Sequence, residues 1–190
     1  MKKVLALITH GFEEIEAVTP FDLLRRAGAE LTVAALGAGT DLLVRGRGGI
    51  VLRADAAFEA LAGTPEDFSA LAGKYDALLL PGGPGTFDLI KDGRAAKLAA
   101  AFAARGKIVA AICAAPLILN AAGLLAGRRV AAHVCAWDEI PAARNGARVE
   151  TDGNIITSRG AGTAFDFALA LVEALAGKAA AAAVSADTMN

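Results

Sequence analysis

The chain has 190 residues, 55% of them hydrophobic, and 19 Lys and Arg stand against 20 Asp and Glu for a net charge of −1. That balance argues against a nucleic-acid binder, which needs a basic surface to neutralise phosphates, and no block of like charge reads as an interaction tail. The length suits one domain, residues 1–190, with a full core that needs neither disulfides nor metals.

The chain opens Met1-Lys2-Lys3-Val4 and continues to Ile8 as an apolar run. Two lysines before an apolar stretch resemble a signal peptide, but the run is short, and His10, Glu13 and Glu14 follow with no cleavage pattern. No apolar stretch spans a bilayer without interruption. The expected location is the cytoplasm, with no membrane partner. A disulfide between Cys113 and Cys135 is not expected, because a chain of this size needs none and nothing indicates secretion.

Val4 to Ile8 reads as a strand buried on both faces. Residues Glu13 to Ala27 have helical spacing (Ile15, Val18, Phe21, Leu24) and stop at Gly28. Pro20 falls inside, where it either kinks the helix or starts its second part. Glu30 to Leu36 is a second strand. The glycine-rich stretch from Leu42 to Leu52 holds a short strand or hairpin, and Asp55 is placed to cap a short helix through Leu61. Tyr75 to Leu80 is a third buried strand, stopped by Pro81-Gly82-Gly83-Pro84-Gly85. Ala95 to Ala104 is a helix closed by Gly106, Ile108 to Ile112 a strand, and Ala115 to Ala122 a helix. Arg129 to Ala132 and Asn154 to Thr157 read as strands. Ala164 to Leu175 is an apolar helix ending near Gly177, and the alanines 179–183 are helical rather than disordered. Alternating helices and unbroken apolar strands predict a doubly wound α/β domain with a mostly parallel sheet. His10, Pro81-Gly82-Gly83 and Cys113 all fall just past strand ends, so this fold gathers them at one rim.

Cys113 stands where an apolar strand turns directly into a helix between small residues, Ala110, Ala111, Ala114 and Ala115. Free cysteine is commonly a small buried hydrophobe. The turn favours a nucleophile instead, because it resembles a nucleophile elbow and faces a helix N-terminus. The helix dipole is worth up to about 2 kcal/mol, or roughly one pKa unit. A second source of stabilisation is required, and Glu16 is the candidate. Glu13 and Glu14 are accounted for by the dipole of the first helix, whereas Glu16, beside Ile15 and Val18, is placed for partial burial. Two negative charges about 3.5 Å apart repel by about 5 kcal/mol at an effective dielectric of about 20. A Glu16–Cys113 pair therefore shares one proton, and the expected state is a thiolate beside a protonated Glu16.

The segments Gly11 to Glu16, Leu80-Pro81-Gly82-Gly83, Ala110 to Pro116 and Thr157-Ser158-Arg159-Gly160-Ala161-Gly162-Thr163 resemble the DJ-one branch of the ThiJ/PfpI superfamily, in order along nearly the whole chain. The resemblance implies a flavodoxin-like sandwich, a homodimer, and no metal or nucleotide cofactor. It implies Cys113 as the reactive cysteine, Glu16 as its protonated neighbour, and Gly83 and Ala114 as backbone donors of an oxyanion hole. It also implies His133 beside the cysteine, and activity on methylglyoxal and glycated thiols or amines, with protection against oxidative stress. Protease-like members carry His directly after the cysteine; here that position is Ala114, which argues against a peptidase.

From the residues alone, His133 is either a satisfied rim histidine or a proton carrier, and Pro81 to Gly85 either a tight loop or an oxyanion turn. His10 and Gly82 are candidate pocket residues, His10 alternatively an interface residue. Arg159 reads as structural, Arg26 and Arg47 as surface or dimer-interface charges, and Cys135, near Trp137, as inert core or a second oxidation site. The functional expectation is a cofactor-free glyoxalase or deglycase acting on 2-oxoaldehydes or their early adducts. The alternatives are a redox-sensing stress protein or chaperone using the same thiol, and a flavodoxin-like binding module. The last is ranked lowest, because the loop after the first strand lacks a Ser/Thr-rich phosphate cradle.

Overall fold

The computed structural model describes residues 1–64 and 66–190. In chain order the regular elements are β1 (Lys3–Ile8), α1 (Glu14–Arg26), β2 (Glu30–Ala35), β3 (Leu43–Arg45), β4 (Val51–Arg53), β5 (Ala56–Ala57), α2 (Phe58–Leu61) and α3 (Asp67–Gly73). They continue with β6 (Ala77–Leu80), α4 (Gly85–Asp92), α5 (Arg94–Ala104), β7 (Ile108–Ile112), α6 (Pro116–Ala121), β8 (Val149–Asp152), β9 (Ile155–Ser158), α7 (Ala164–Ala176) and α8 (Lys178–Asp187).

Seven strands form one sheet in the order β5-β2-β1-β6-β7-β9-β8, parallel except for the β8–β9 pair, and β3 with β4 makes a separate hairpin. The register explains why the strand sequences are apolar throughout. Val33, Ala6, Leu79, Ala110 and Ile156 lie in one row across the sheet, and all five enter the core shared with α1 and α7. The adjacent row, Leu5, Leu78, Val109 and Ile155, enters the opposite core, with Leu98 and Phe102 of α5 and Ile118 of α6. Successive side chains point to opposite faces, and both faces are covered. This is the flavodoxin-like, doubly wound α/β sandwich expected. Among the described residues no helix is long and apolar enough to cross a membrane.

Several expectations are corrected. Arg129 to Ala132 is not a strand: the Arg129 and Ala131 amides are taken by the Asp152 carboxylate (3.0 Å) and the Thr157 hydroxyl (2.9 Å). The sheet edge there is β8, antiparallel to β9. Asp55 does not cap α2, which has no side-chain cap; its carboxylate accepts from the Val33 amide at 2.8 Å. The short helices α3 and α4 lack a long apolar period, which is why the sequence pattern does not disclose them. Helix α1 runs through Pro20 as one element; the missing N–H leaves only the Glu16 carbonyl without its helical donor.

Candidate active site

Strands β1, β6 and β7 end at one rim. Strands β2 and β5 lie on one side of β1, and β6, β7, β9 and β8 on the other, so the connections diverge there and leave the crevice where such folds bind ligands. Three segments enter it: Thr9–Glu13 after β1, Pro81–Pro84 after β6, and Cys113–Ala115 after β7.

Cys113 has φ +66°, in the left-handed region. A residue with a Cβ pays about 1–2 kcal/mol there. The conformation is held from both sides: the Cys113 amide donates to the Ser158 carbonyl (2.9 Å), and its carbonyl accepts from the His133 amide (2.9 Å). Gly82 packs against the turn so closely that a Cβ would sit 2.6 Å from Glu16 Oε2 and 2.7 Å from Cys113 Cβ. Only glycine fits.

Glu16 is 1% exposed. Its position follows from the start of α1. The Glu13 side chain caps the helix by accepting from the Glu16 amide at 2.8 Å, and the Glu13 amide donates to the Gly82 carbonyl at 2.9 Å. The first turn is thereby fixed against the β6 loop, and the Glu16 carboxyl is aimed at the cysteine. It is hydrogen-bonded with the Cys113 thiol and accepts from the Gly82 amide at 3.1 Å and from the Ala161 amide. Ala161 is held in place by Thr163, whose hydroxyl donates to the Gly160 carbonyl at 2.8 Å and meets the Ser158 hydroxyl at 2.6 Å.

Burial raises the Glu16 carboxyl from 4.5 to about 7; the nearby Glu13 charge adds to this, and the hydrogen bonds from Cys113, Gly82 and Ala161 oppose it. Cys113 departs from the helix-dipole expectation. Burial first, then the charge of an ionised Glu16, push its thiol up, and only the Ala114 amide pulls it down. Burial of the sulfur outweighs the single amide aimed at it. Both groups resist ionisation, so from about neutral pH the pair holds one proton between them.

Beside the pair opens a cavity of about 270 Å³. It brings together Cys113, Glu16, His133, Gly83 and Ala114. Gly83 has φ +103°, and a Cβ on it would collide with the Gly11 carbonyl. Among the described residues nothing accepts from its amide, whereas the Ala114 amide already faces the sulfur. His133 Nδ1 accepts from the Cys135 amide at 3.3 Å, so the proton of a neutral ring sits on Nε2. Gly82 stands behind the pair rather than on the cavity wall.

His10 does not line the cavity. It is exposed, and its Nδ1 accepts from the Arg45 amide at 3.1 Å, tying the β3–β4 hairpin to the rim. The pocket reading of His10 is therefore corrected. Arg47, read as a surface or interface charge, lines the cavity. The Arg47 amide donates to the Phe12 carbonyl at 2.8 Å, and the buried Glu14 carboxylate accepts from Gly48 (2.7 Å) and Ile50 (3.3 Å). Glu14 thus folds the hairpin tip over the site, a role beyond dipole matching. Cys135 is exposed at the same cavity rather than buried in core. Glu13 and Phe87 are further walls that sequence reasoning missed. Arg26 pairs with Asp22 (2.8 Å) and Asp187 (2.6 Å), and Arg159 bonds the Gly146 carbonyl. Among the described residues no group of three or more His, Cys, Asp or Glu could hold a metal ion.

The model of the DJ-1/PfpI family matches residues 2–174. The Parkinson disease protein 7 homolog of Danio rerio is 38% identical, the match covering 97% of this chain and 95% of that protein. A protein named a deglycase from Pyrococcus abyssi is 34% identical, covering 83% of this chain and 89% of its own length. The solved structure of oxidized Toxoplasma gondii DJ-1 superposes with a TM-score of 0.85 at 35% identity, covering 100% of this chain and 98% of that one. The match of the family model across most of the chain assigns it: the protein belongs to the DJ-1/PfpI family.

Proposed function

We propose that this protein is a cofactor-free enzyme that converts 2-oxoaldehydes such as methylglyoxal to 2-hydroxy acids through a cysteine adduct. The observation that carries the reading is the Glu16 carboxyl, 1% exposed, hydrogen-bonded with Cys113 at the wall of a small cavity. At about 270 Å³ the cavity lies at the small end of ligand pockets, which run about 300–1,000 Å³. It suits a three-carbon substrate better than a bulky adduct. Deglycation by the same steps requires the reacting end of an adduct to reach in alone.

In the productive form the shared proton moves from the sulfur to Glu16, and the Ala114 amide stabilises the thiolate. The sulfur attacks the aldehyde carbon, and the oxyanion that forms is met by the Gly83 and Ala114 amides. Glu16 protonates that oxygen, giving a hemithioacetal. As a carboxylate it then takes the proton from C1 and returns it to C2, while His133 gives its Nε2 proton to the C2 oxygen and takes up the C1 hydroxyl proton in its place. The product is a 2-hydroxyacyl thioester. Water adds to it, the C–S bond breaks, and the 2-hydroxy acid leaves with the thiol–carboxyl pair restored. The reading includes a homodimer, as the family resemblance implies, working in the cytoplasm.

The test is lactate formation from methylglyoxal without glutathione, together with the pH profile of Cys113 alkylation. Cys113→Ala is expected to abolish turnover. Alkylation of the wild type should rise through about pH 7, where Glu16 titrates, and this rise should vanish in Glu16→Gln. Unchanged lactate formation by Cys113→Ala removes the proposal.

A second reading, a redox-responsive stress protein, is favoured by the partial exposure of Cys113 and by the oxidized state named for the Toxoplasma gondii relative. A sulfur in this position is open to sulfenate and sulfinate formation.

A further inference from the structure

We propose that Cys135 is a resolving cysteine: after a hydroperoxide oxidises Cys113, the two residues close a reversible disulfide across the mouth of the cavity. The chain has two cysteines, and both are free and line this one cavity. Backbone bonds set their approach. The His133 amide donates to the Cys113 carbonyl at 2.9 Å, and the Cys135 amide donates to His133 Nδ1 at 3.3 Å. Cys135 therefore lies two residues along the chain from His133, whose amide is hydrogen-bonded to the Cys113 backbone. A disulfide needs Cα atoms about 4.4–6.8 Å apart, and the segment that would adjust is a short turn at the surface. Cys135 lies in a three-residue 3-10 turn, Val134–Ala136. Val134 is 57% exposed, Cys135 is exposed, and only Ala136 is anchored in the core. Core packing does not account for a cysteine on such a turn.

The chemistry balances. The Cys113 sulfur attacks the outer oxygen of the hydroperoxide, the O–O bond breaks, and an alcohol or water leaves, so Cys113 becomes a sulfenic acid. The Cys135 sulfur, having given its proton to solvent, attacks the Cys113 sulfur. The leaving oxygen of the hydroperoxide has taken the proton shared with Glu16, so as the S–S bond forms and the S–O bond breaks, the departing hydroxide takes up from solvent the proton that Cys135 released and leaves as water. A dithiol reductant returns two electrons and two protons. Competition decides the outcome: without a neighbouring thiol, more hydroperoxide carries the sulfenic acid to sulfinate. A tethered thiol presents an effective concentration of at least ~1 mM, well above a micromolar oxidant. A transient disulfide of this kind is compatible with a reducing compartment.

The experiment treats the whole protein with a small excess of hydrogen peroxide, enough to supply two oxygens per chain, without any oxoaldehyde, and follows intact mass, free thiols and peptide maps. The expected wild-type result is loss of both thiols per chain, a mass lower by two hydrogens, a Cys113–Cys135 peptide link, and full recovery with dithiothreitol. Cys135→Ser should instead accumulate Cys113 carrying two oxygens that dithiothreitol does not remove. The proposal is overturned if wild-type Cys113 gains two oxygens while Cys135 still alkylates fully, or if the link joins two chains. Lactate formation is scored separately, so normal turnover without a disulfide defeats this inference alone.

Discussion

Replacing Glu16 by Gln tests the central electrostatic claim through stability, independently of any substrate. The amide keeps the shape of the side chain and an oxygen that accepts from the Gly82 amide, but it does not titrate. The wild-type carboxyl ionises near 4.5 when unfolded and at about 7 when folded. Between those values the folded state holds a proton that the unfolded state has lost, so stability falls as pH rises across that window. At about 1.4 kcal/mol per unit the full loss is about 3 kcal/mol. That is a substantial part of the 5–15 kcal/mol typical of a domain. Below the unfolded value the group is protonated in both states and contributes no slope; above about 7 it is ionised in both, and the loss is complete. Urea unfolding of wild type and Glu16→Gln from about pH 4 to about pH 8 isolates the effect, because the other titrating groups are common to both chains. The variant should gain about 3 kcal/mol relative to wild type across the range. A difference that stays constant from end to end would show that the carboxyl is not desolvated in the folded protein.

Two further substitutions address the backbone around the pair. Cys113→Gly should be more stable than Cys113→Ala by about 1 kcal/mol in urea, because only glycine accepts the positive φ without strain; equal midpoints would mean that the turn stores nothing. Gly82→Ala drives a methyl group against the Glu16 carboxyl and the Cys113 side chain. It should cost about 1–3 kcal/mol of stability and also depress Cys113 alkylation at neutral pH, whereas a simple packing defect would leave the alkylation profile in place.

The parts of the site that follow strand ends were legible in the sequence because cause and consequence are adjacent. The run Ile108 to Ile112 is buried on both faces, so the next residue must leave the sheet, and small neighbours there leave room for a strained turn. The same holds for Leu80 into Pro81-Gly82-Gly83. What escaped was set by contacts distant in the chain. Arg47 reaches the cavity because Glu14, buried in the first turn of α1, binds the tip of the hairpin. Composition showed an acidic cluster whose members are all favourable at a helix start. It could not show that the three carboxylates act separately, with Glu13 capping the helix, Glu14 holding the hairpin and Glu16 facing the sulfur. Arg129 to Ala132 failed for a related reason. The stretch has strand-like residues, but its amides are taken by the side chains of Asp152 and Thr157 rather than by a backbone ladder.

The shared burial of the pair matters most for the chemistry. The burial that raises Glu16 also raises Cys113, and at the sulfur only the Ala114 amide opposes it. Neither group becomes reactive alone. Reactivity depends on one proton moving between them, so a substitution that alters the hydration of Glu16 should change the sulfur as much as one made at the sulfur itself.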